Sequence, residues 1–340
     1  MHTPSISYVG HHTAASCLTE TERAGLPYLS ENFGGLPPLV IAVGDRRRVS
    51  VAVEEIGLEQ PVYLHGLVEG RRIGRVDMAI GAYRWEEGQC PILVVETQMG
   101  MAASEIVLRE ILTYCRTLYH WNGQTLHTNG ITVIRVGTAA GINAPGLPPV
   151  QVGDIVCCTR GLGWSGTLLQ SFGGLDLFSE EARASFQQNW MEMGFGFTQD
   201  GKYPCAPCSP STIVAIHTAA SDLEIPIRKG GNFSKDSLYS EFDTAAFIQL
   251  RKDYGVLTSE MEQMAILGLS GLYSKAGQVL HAGLISSIVG LIPGASFQDG
   301  PEDAQTNVQS MGNSLRIAAR ALALAAMMEQ DHDSGDSDPD

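Results

Sequence analysis

Four short segments carry the residues with the most chemical potential in this 340-residue chain. The first is Gly44-Asp45-Arg46-Arg47-Arg48, directly after the apolar run Leu39 to Val43. A glycine lets backbone N–H groups approach a ligand, a helix N-terminus favours anions, and arginines supply charge-assisted donors. Arginines in a first helical turn oppose the helix dipole, which makes an anion-binding role attractive beside the plain alternative of surface arginines. The second is Arg135, set in the β-rich run Ile131 to Val136 and followed by Gly137 and Thr138. A buried guanidinium requires an anionic partner, which an internal carboxylate or a bound anion would equally supply. The third, Ser259-Glu260-Met261-Glu262, places carboxylates where a strand passes into a helix; there they can accept from hydroxyls or simply complement the dipole. Thr97-Gln98-Met99-Gly100-Met101, the fourth, is another strand end leading into a helix.

These positions matter because ligands of open α/β sheets collect at the carboxyl ends of the strands. The pattern predicts strands at 39–43, 74–81, 92–97, 131–136, 153–159, near 225–230, up to 259 and at 279–289. Helices are expected up to Ile56 and over 102–119, 180–190, 243–254 and 261–273, with others beginning near Ser211 and Asp303. Alternation of this kind implies an α/β fold with a single-domain mixed sheet flanked by helices. The stretch from Gly161 to Ser211 is less regular and reads as an excursion from one domain. Residues 1–35 are expected to form a lead-in, 36–328 the one α/β domain, and 329–340 a disordered acidic tail.

Composition narrows the function classes. The net charge of −15 opposes nonspecific contact with nucleic acid or anionic membranes. Ile317 to Met328 is short for a membrane span and contains Arg320, so it reads as a buried or docking helix. No basic start followed by an apolar stretch opens the chain, and seven cysteines do not complete a disulfide framework, so a cytoplasmic location is expected. Cys205 and Cys208 have a C-x-x-C spacing without a second ligand pair, which argues against zinc; Cys157 and Cys158 read as buried strand thiols.

In order along the chain, Val43-Gly44-Asp45 with Arg48, Ile134-Arg135-Val136-Gly137-Thr138-Ala139-Ala140-Gly141, Val152-Gly153-Asp154-Ile155 and Gly255-Val256 through Glu262 resemble the nucleoside phosphorylase-I family. Within it they are most similar to the uridine phosphorylases, and the resemblance extends from Leu39 to the C-terminal helix. It implies that Gly44, Arg48, Arg135 and Thr138 bind phosphate, and that Glu260, Met261 and Glu262 line the ribose, with Arg48, Arg135 and Glu262 carrying catalysis. It also implies reversible phosphorolysis of uridine to uracil and ribose 1-phosphate, with inorganic phosphate as co-substrate and no organic cofactor. Purine or other nucleoside cleavage, hydrolysis by water, and a non-catalytic nucleoside-binding relative are the alternatives. The family's Gln-x-Arg uracil pair is matched in spacing by Gln249 and Arg251, on an expected helix where plain polar exposure is the alternative. Gly283 to Ile288 lacks the aspartate of purine-cleaving relatives and also the Asn and Arg of typical uridine enzymes. The resemblance further implies a homodimer or larger homo-oligomer sharing its sites. Arg71 or Arg72 would serve as the borrowed arginine; Leu26 falls where the borrowed histidine is expected, with His11, His12 or His65 as substitutes. Glu69 matches a position that holds an interface cation in bacterial relatives, although a solvent-facing Glu is the simpler reading, and no other metal is expected.

Overall fold

A computed structural model describes residues 35–64, 76–86, 88–121, 123–174, 176, 179–238, 244–293 and 301–333. The strands are β1 (Leu39–Val43), β2 (Glu59–Leu64), β3 (Met78–Trp85), β4 (Gly88–Glu96), β5 (Leu118–Trp121), β6 (Gln124–His127), β7 (Ile131–Ile142), β8 (Ile155–Leu162), β9 (Gly196–Phe197), β10 (Pro204–Pro207), β11 (Arg228–Ser234), β12 (Val256–Glu260) and β13 (Leu280–Ile292). The helices are α1 (Arg46–Ile56), α2 (Met101–Leu112), α3 (Gly166–Phe172), α4 (Glu180–Glu192), α5 (Pro210–Asp222), α6 (Thr244–Tyr254), α7 (Gln263–Lys275) and α8 (Pro301–Asp333).

All strands except the β5–β6 hairpin join one mixed sheet. At its centre β1 lies parallel between β4 and β7, while β12 runs antiparallel to β7 and parallel to β11. β11 is parallel to β8, and β13 pairs parallel with β7 and antiparallel with β8. The sequence of pairings β7, β12, β11, β8, β13 returns to β7, so five strands close on themselves and β1 to β4 extend as a wing.

Alternation along β1 supplies both sides of the core. Leu39, Ile41 and Val43 pack with Val49, Ala52, Val53 and Ile56 of α1 and with Leu315, Ala318 and Leu322 of α8. Val40 and Ala42 turn the other way, into a cluster with Leu108 of α2 and Leu267 of α7. Strands covered on both faces read as continuous apolar runs, the signature seen at Leu39 to Val43.

Several boundaries depart from the sequence expectation. The helix predicted over 102–119 stops at Leu112, because Tyr114 and Cys115 turn back to pair with Leu36 and the next residues form β5. The β5–β6 hairpin, β2, α3 and the short β9 and β10 carry little periodicity and fall outside the sequence expectation. In the irregular stretch, Phe172, Phe186, Trp190, Phe195 and Phe197 stack into an aromatic cluster continuous with the α2–α7 side of the core. α8 continues to Asp333, so the first residues of the acidic tail are helical; 334–340 lie outside the described residues. Within α8, Ile317, Ala321 and Leu322 are fully buried, as a docking helix requires. No described helix is long and apolar enough to cross a membrane.

Candidate active site

Three strand ends and three helix starts converge at one place. β1 ends at Val43 and turns through Gly44 into α1, whose N-cap Asp45 accepts from the Arg47 and Arg48 amides at 2.9 and 3.2 Å. The same carboxylate pairs with Arg48 Nε at 3.0 Å, so the cap residue also aims the arginine. Arg48 Nη2 lies 3.5 Å from Thr138 Oγ1, and burial holds its guanidinium pKa below the ordinary arginine value. A Cβ on Gly44 would sit 3.3 Å from Arg48 Nη1 and 3.6 Å from Arg135 Nη2, and one on Gly137 would sit 3.3 Å from Arg135 Nη2. Glycine at these positions leaves the space in which two guanidinium groups meet.

Arg135 is the hinge of the arrangement. It is buried on β7, its Nη2 donates to Glu262 Oε2 at 2.7 Å, and its Nη1 donates to Thr97 Oγ1 at 3.3 Å. Its Nε has no hydrogen-bond partner among the described residues. An unpartnered guanidinium N–H at a buried position costs free energy that an arriving anion would recover. Of the two partners open to Arg135 in the sequence, the internal carboxylate is therefore present, and donor capacity remains for the other.

Glu262 stands at the start of α7, where its Oε1 accepts from the Gly100 amide at 2.7 Å. Gly100 is the N-cap of α2, so a second helix start faces this carboxylate. Its pKa is lowered: burial opposes the charge, but Arg135 and the Gly100 amide together outweigh it. Two residues earlier, Glu260 ends β12 with both oxygens engaged. Oε1 accepts from Asn232 Nδ2 at 2.7 Å and Ser234 Oγ at 2.5 Å; Oε2 accepts from the amides of Glu262 and Gln263 at 2.7 and 3.0 Å. Burial, reinforced by the Glu262 charge, pushes the Glu260 carboxyl up to about 7. Met261 is half-buried between them.

The structure thus gathers Gly44, Arg48, Arg135, Thr138 and the 260–262 segment. It adds Thr97 and Gly100, whose segment was visible in the sequence only as a strand end before a helix, and Asn232 and Ser234, which gave no signal. Gln98, between Thr97 and Gly100, has a left-handed backbone (φ 61), uncommon for a residue with a side chain.

Gln249 and Arg251 are not brought to this cluster. Gln249 is exposed on α6 and donates to Asp253, one turn further on. Arg251 is buried beside Arg228 at the start of β11 and donates to Pro148 O at 3.0 Å. α6 enters β12 at Val256, so Arg251 lies at the opposite end of that strand from Glu260, roughly 13 Å of extended chain away. Correct spacing on a helix did not place the pair because the helix packs at the strand's other end. Ser286 and Ser287, level with Gly137 and Thr138 in the β13–β7 register, occupy the segment that lacks an aspartate. Ser287 Oγ bonds Ser314, and Ser286 Oγ lies 3.7 Å from Cys158 Sγ. The six cysteines among the described residues are free thiols, and no cluster of three or more metal-ligating side chains occurs among those residues. His11, His12, Leu26, His65, Glu69, Arg71 and Arg72 lie outside the described residues.

Where β1 turns into α1, the mixed sheet gathers two guanidinium groups and a buried carboxylate, an arrangement able to receive an anion. The sequence from 38 to 323 matches the phosphorylase superfamily, and the chain belongs to that family. Solved structures share the fold. A purine nucleoside phosphorylase from Toxoplasma gondii is 18% identical, with a TM-score of 0.58 over 87% of this chain and 94% of that one. A Trypanosoma brucei nucleoside phosphorylase described as showing uridine phosphorylase activity is 19% identical, with a TM-score of 0.57 over 86% and 94%. A uridine phosphorylase from Vibrio fischeri is 21% identical, with a TM-score of 0.53 over 87% and 93%. No curated protein sequence matches the chain. Phosphate is the co-substrate of nucleoside phosphorylases, which need no organic cofactor.

Proposed function

We propose that this protein phosphorolyses uridine to uracil and ribose 1-phosphate. The observation that carries the reading is Arg135, which joins the Gly44, Arg48 and Thr138 cradle to Glu262 through one buried guanidinium. Phosphate seated between Arg48 and Arg135 is held by charge-assisted donors, with the Thr138 hydroxyl beside it. Glu262 spends one acceptor position on Gly100 and one on Arg135 among the described residues, which leaves each oxygen a lone pair for a ribose hydroxyl. The arginine therefore fixes the distance between nucleophile and sugar, so phosphate attacks the anomeric carbon as the glycosidic bond loosens. The ionised Glu262 supports positive charge developing on the sugar ring. Electrons of the broken bond leave with the base, and the new bond joins the anomeric carbon to a phosphate oxygen.

The absence of an aspartate from Gly283 to Ile288 supports uridine over purine nucleosides, and two of the three structural relatives are described with uridine phosphorylase activity. A cytoplasmic location and a homodimer or larger homo-oligomer sharing its sites complete the proposal. The test is base release from uridine and inosine in parallel, with and without inorganic phosphate. Uracil release that requires phosphate is expected. Release independent of phosphate would overturn phosphorolysis, and preferential release of hypoxanthine would overturn the substrate.

A further inference from the structure

The two carboxylates of the 260–262 segment differ in one respect that decides their roles. Glu260 has four acceptor positions, and among the described residues all four are filled. Each donor is committed. The Glu262 and Gln263 amides can only donate. Asn232 Oδ1 accepts from Thr258 Oγ1 at 2.8 Å, which orients the amide so that its Nδ2 faces Glu260. Ser234 Oγ accepts from the Met264 amide and from Asn232 Nδ2, each at 3.2 Å, so its own hydrogen is the one directed at Glu260. No lone pair is left for a ribose hydroxyl. Asn232 and Ser234 are themselves fully buried, out of reach of any substrate.

We propose that Glu260 is a positioning residue that holds Glu262 in place from the end of β12 and does not itself bind the sugar, with Ser234 and Asn232 as its supports. Glu260 Oε2 captures the first free amides of α7, which fixes where that helix begins and hence where the Glu262 carboxylate points. Met264, the next residue of the helix, is tied to the same anchor through Ser234. β11 thereby sets the geometry of a sugar contact two strands from Arg135, a link that sequence separation conceals. The inference rests on the reading of Glu262 as the ribose carboxylate.

The experiment compares Glu260→Gln, Ser234→Ala and the double variant by steady-state kinetics and by hydrogen exchange at the Gly100, Glu262 and Gln263 amides. A glutamine keeps the shape but turns an NH2 toward committed donors. Its KM for uridine should rise about 10-fold or more, with the KM for phosphate changed less than about 2-fold. Ser234→Ala should raise the uridine KM in the same direction, and the double variant should be no worse than Glu260→Gln alone, because serine acts through the carboxylate. Exchange at Glu262 and Gln263 should accelerate by about 10-fold or more in Glu260→Gln. A uridine KM raised by Glu260→Gln but untouched by Ser234→Ala would make Glu260 a direct sugar ligand and overturn the proposal, as would unchanged amide exchange. If the unmodified enzyme releases no base from any nucleoside, the functional reading falls while the exchange data still decide the positioning role. Ser234→Ala keeps that decision available if Glu260→Gln does not fold.

Discussion

Glu260 and Glu262 share a sequence motif and a charge type, yet their surroundings push their pKa values apart. Glu262 is lowered chiefly by Arg135 and the Gly100 amide against its burial, so it stays ionised at neutral pH. Burial and the charge of Glu262 raise Glu260 from 4.5 to about 7 against the pull of its donors, which favour the ionised form and are all engaged by it once the proton has left. The folded chain therefore holds the Glu260 proton more tightly than the unfolded chain. Its contribution to stability is fully present below 4.5 and is lost as pH rises through about 7. Thermal melting of the natural protein and of Glu260→Gln between about pH 5 and about pH 8 reads this directly, and the natural protein should lose stability relative to the variant across that interval. Parallel curves would mean that the carboxyl is ionised throughout. Glu262→Gln tests the other member of the pair. It removes the charge next to Arg135 and should lower kcat/KM for the nucleoside about 100-fold while leaving phosphate binding in place.

The helix starts do more than end strands. α1 begins on three successive arginines, a poor choice for the positive end of a helix dipole, and Asp45 offsets it both as cap and as the ion-pair partner of Arg48. These two functions separate by mutation. Asparagine caps as well as aspartate, so Asp45→Asn should leave unfolding free energy within about 0.5 kcal/mol while raising the KM for phosphate, because Arg48 loses its restraint. Asp45→Ala should raise the same KM and also cost about 1 kcal/mol, measured by denaturant unfolding. α2 and α7 offer the matching case on the sugar side. The Gly100 amide and the Glu262 carboxylate sit at two different helix starts and meet only because both helices pack on the same face of β1.

The aromatic cluster joins the irregular 161–211 stretch to the rest of the protein. Trp190 is fully buried against Phe172, Phe186 and Phe195, in a cluster shared with α2, α7 and the wing strands. Trp190→Ala should therefore destabilise the entire chain by about 3–5 kcal/mol in one transition seen by calorimetry. Two resolved transitions would show that the excursion unfolds separately.

The sequence by itself determined the alternating elements and the single mixed sheet, and it singled out the residues of the proposed anion cradle. Continuous apolar runs and the turns after them are local signals: Leu39 to Val43 must be buried, and Gly44 through Arg48 must follow it. An arginine within Ile131 to Val136 also declares its need for an anion from composition alone. Only tertiary structure decided what meets what. The closure of β7, β12, β11, β8 and β13 brings Asn232 and Ser234 beneath Glu260, although 26 or more residues separate them in the chain. The same packing carries Gln249 and Arg251 to the far end of β12 despite their apt spacing. Spacing along a helix fixes which residues share a face, whereas the direction that face takes depends on every element packed against it.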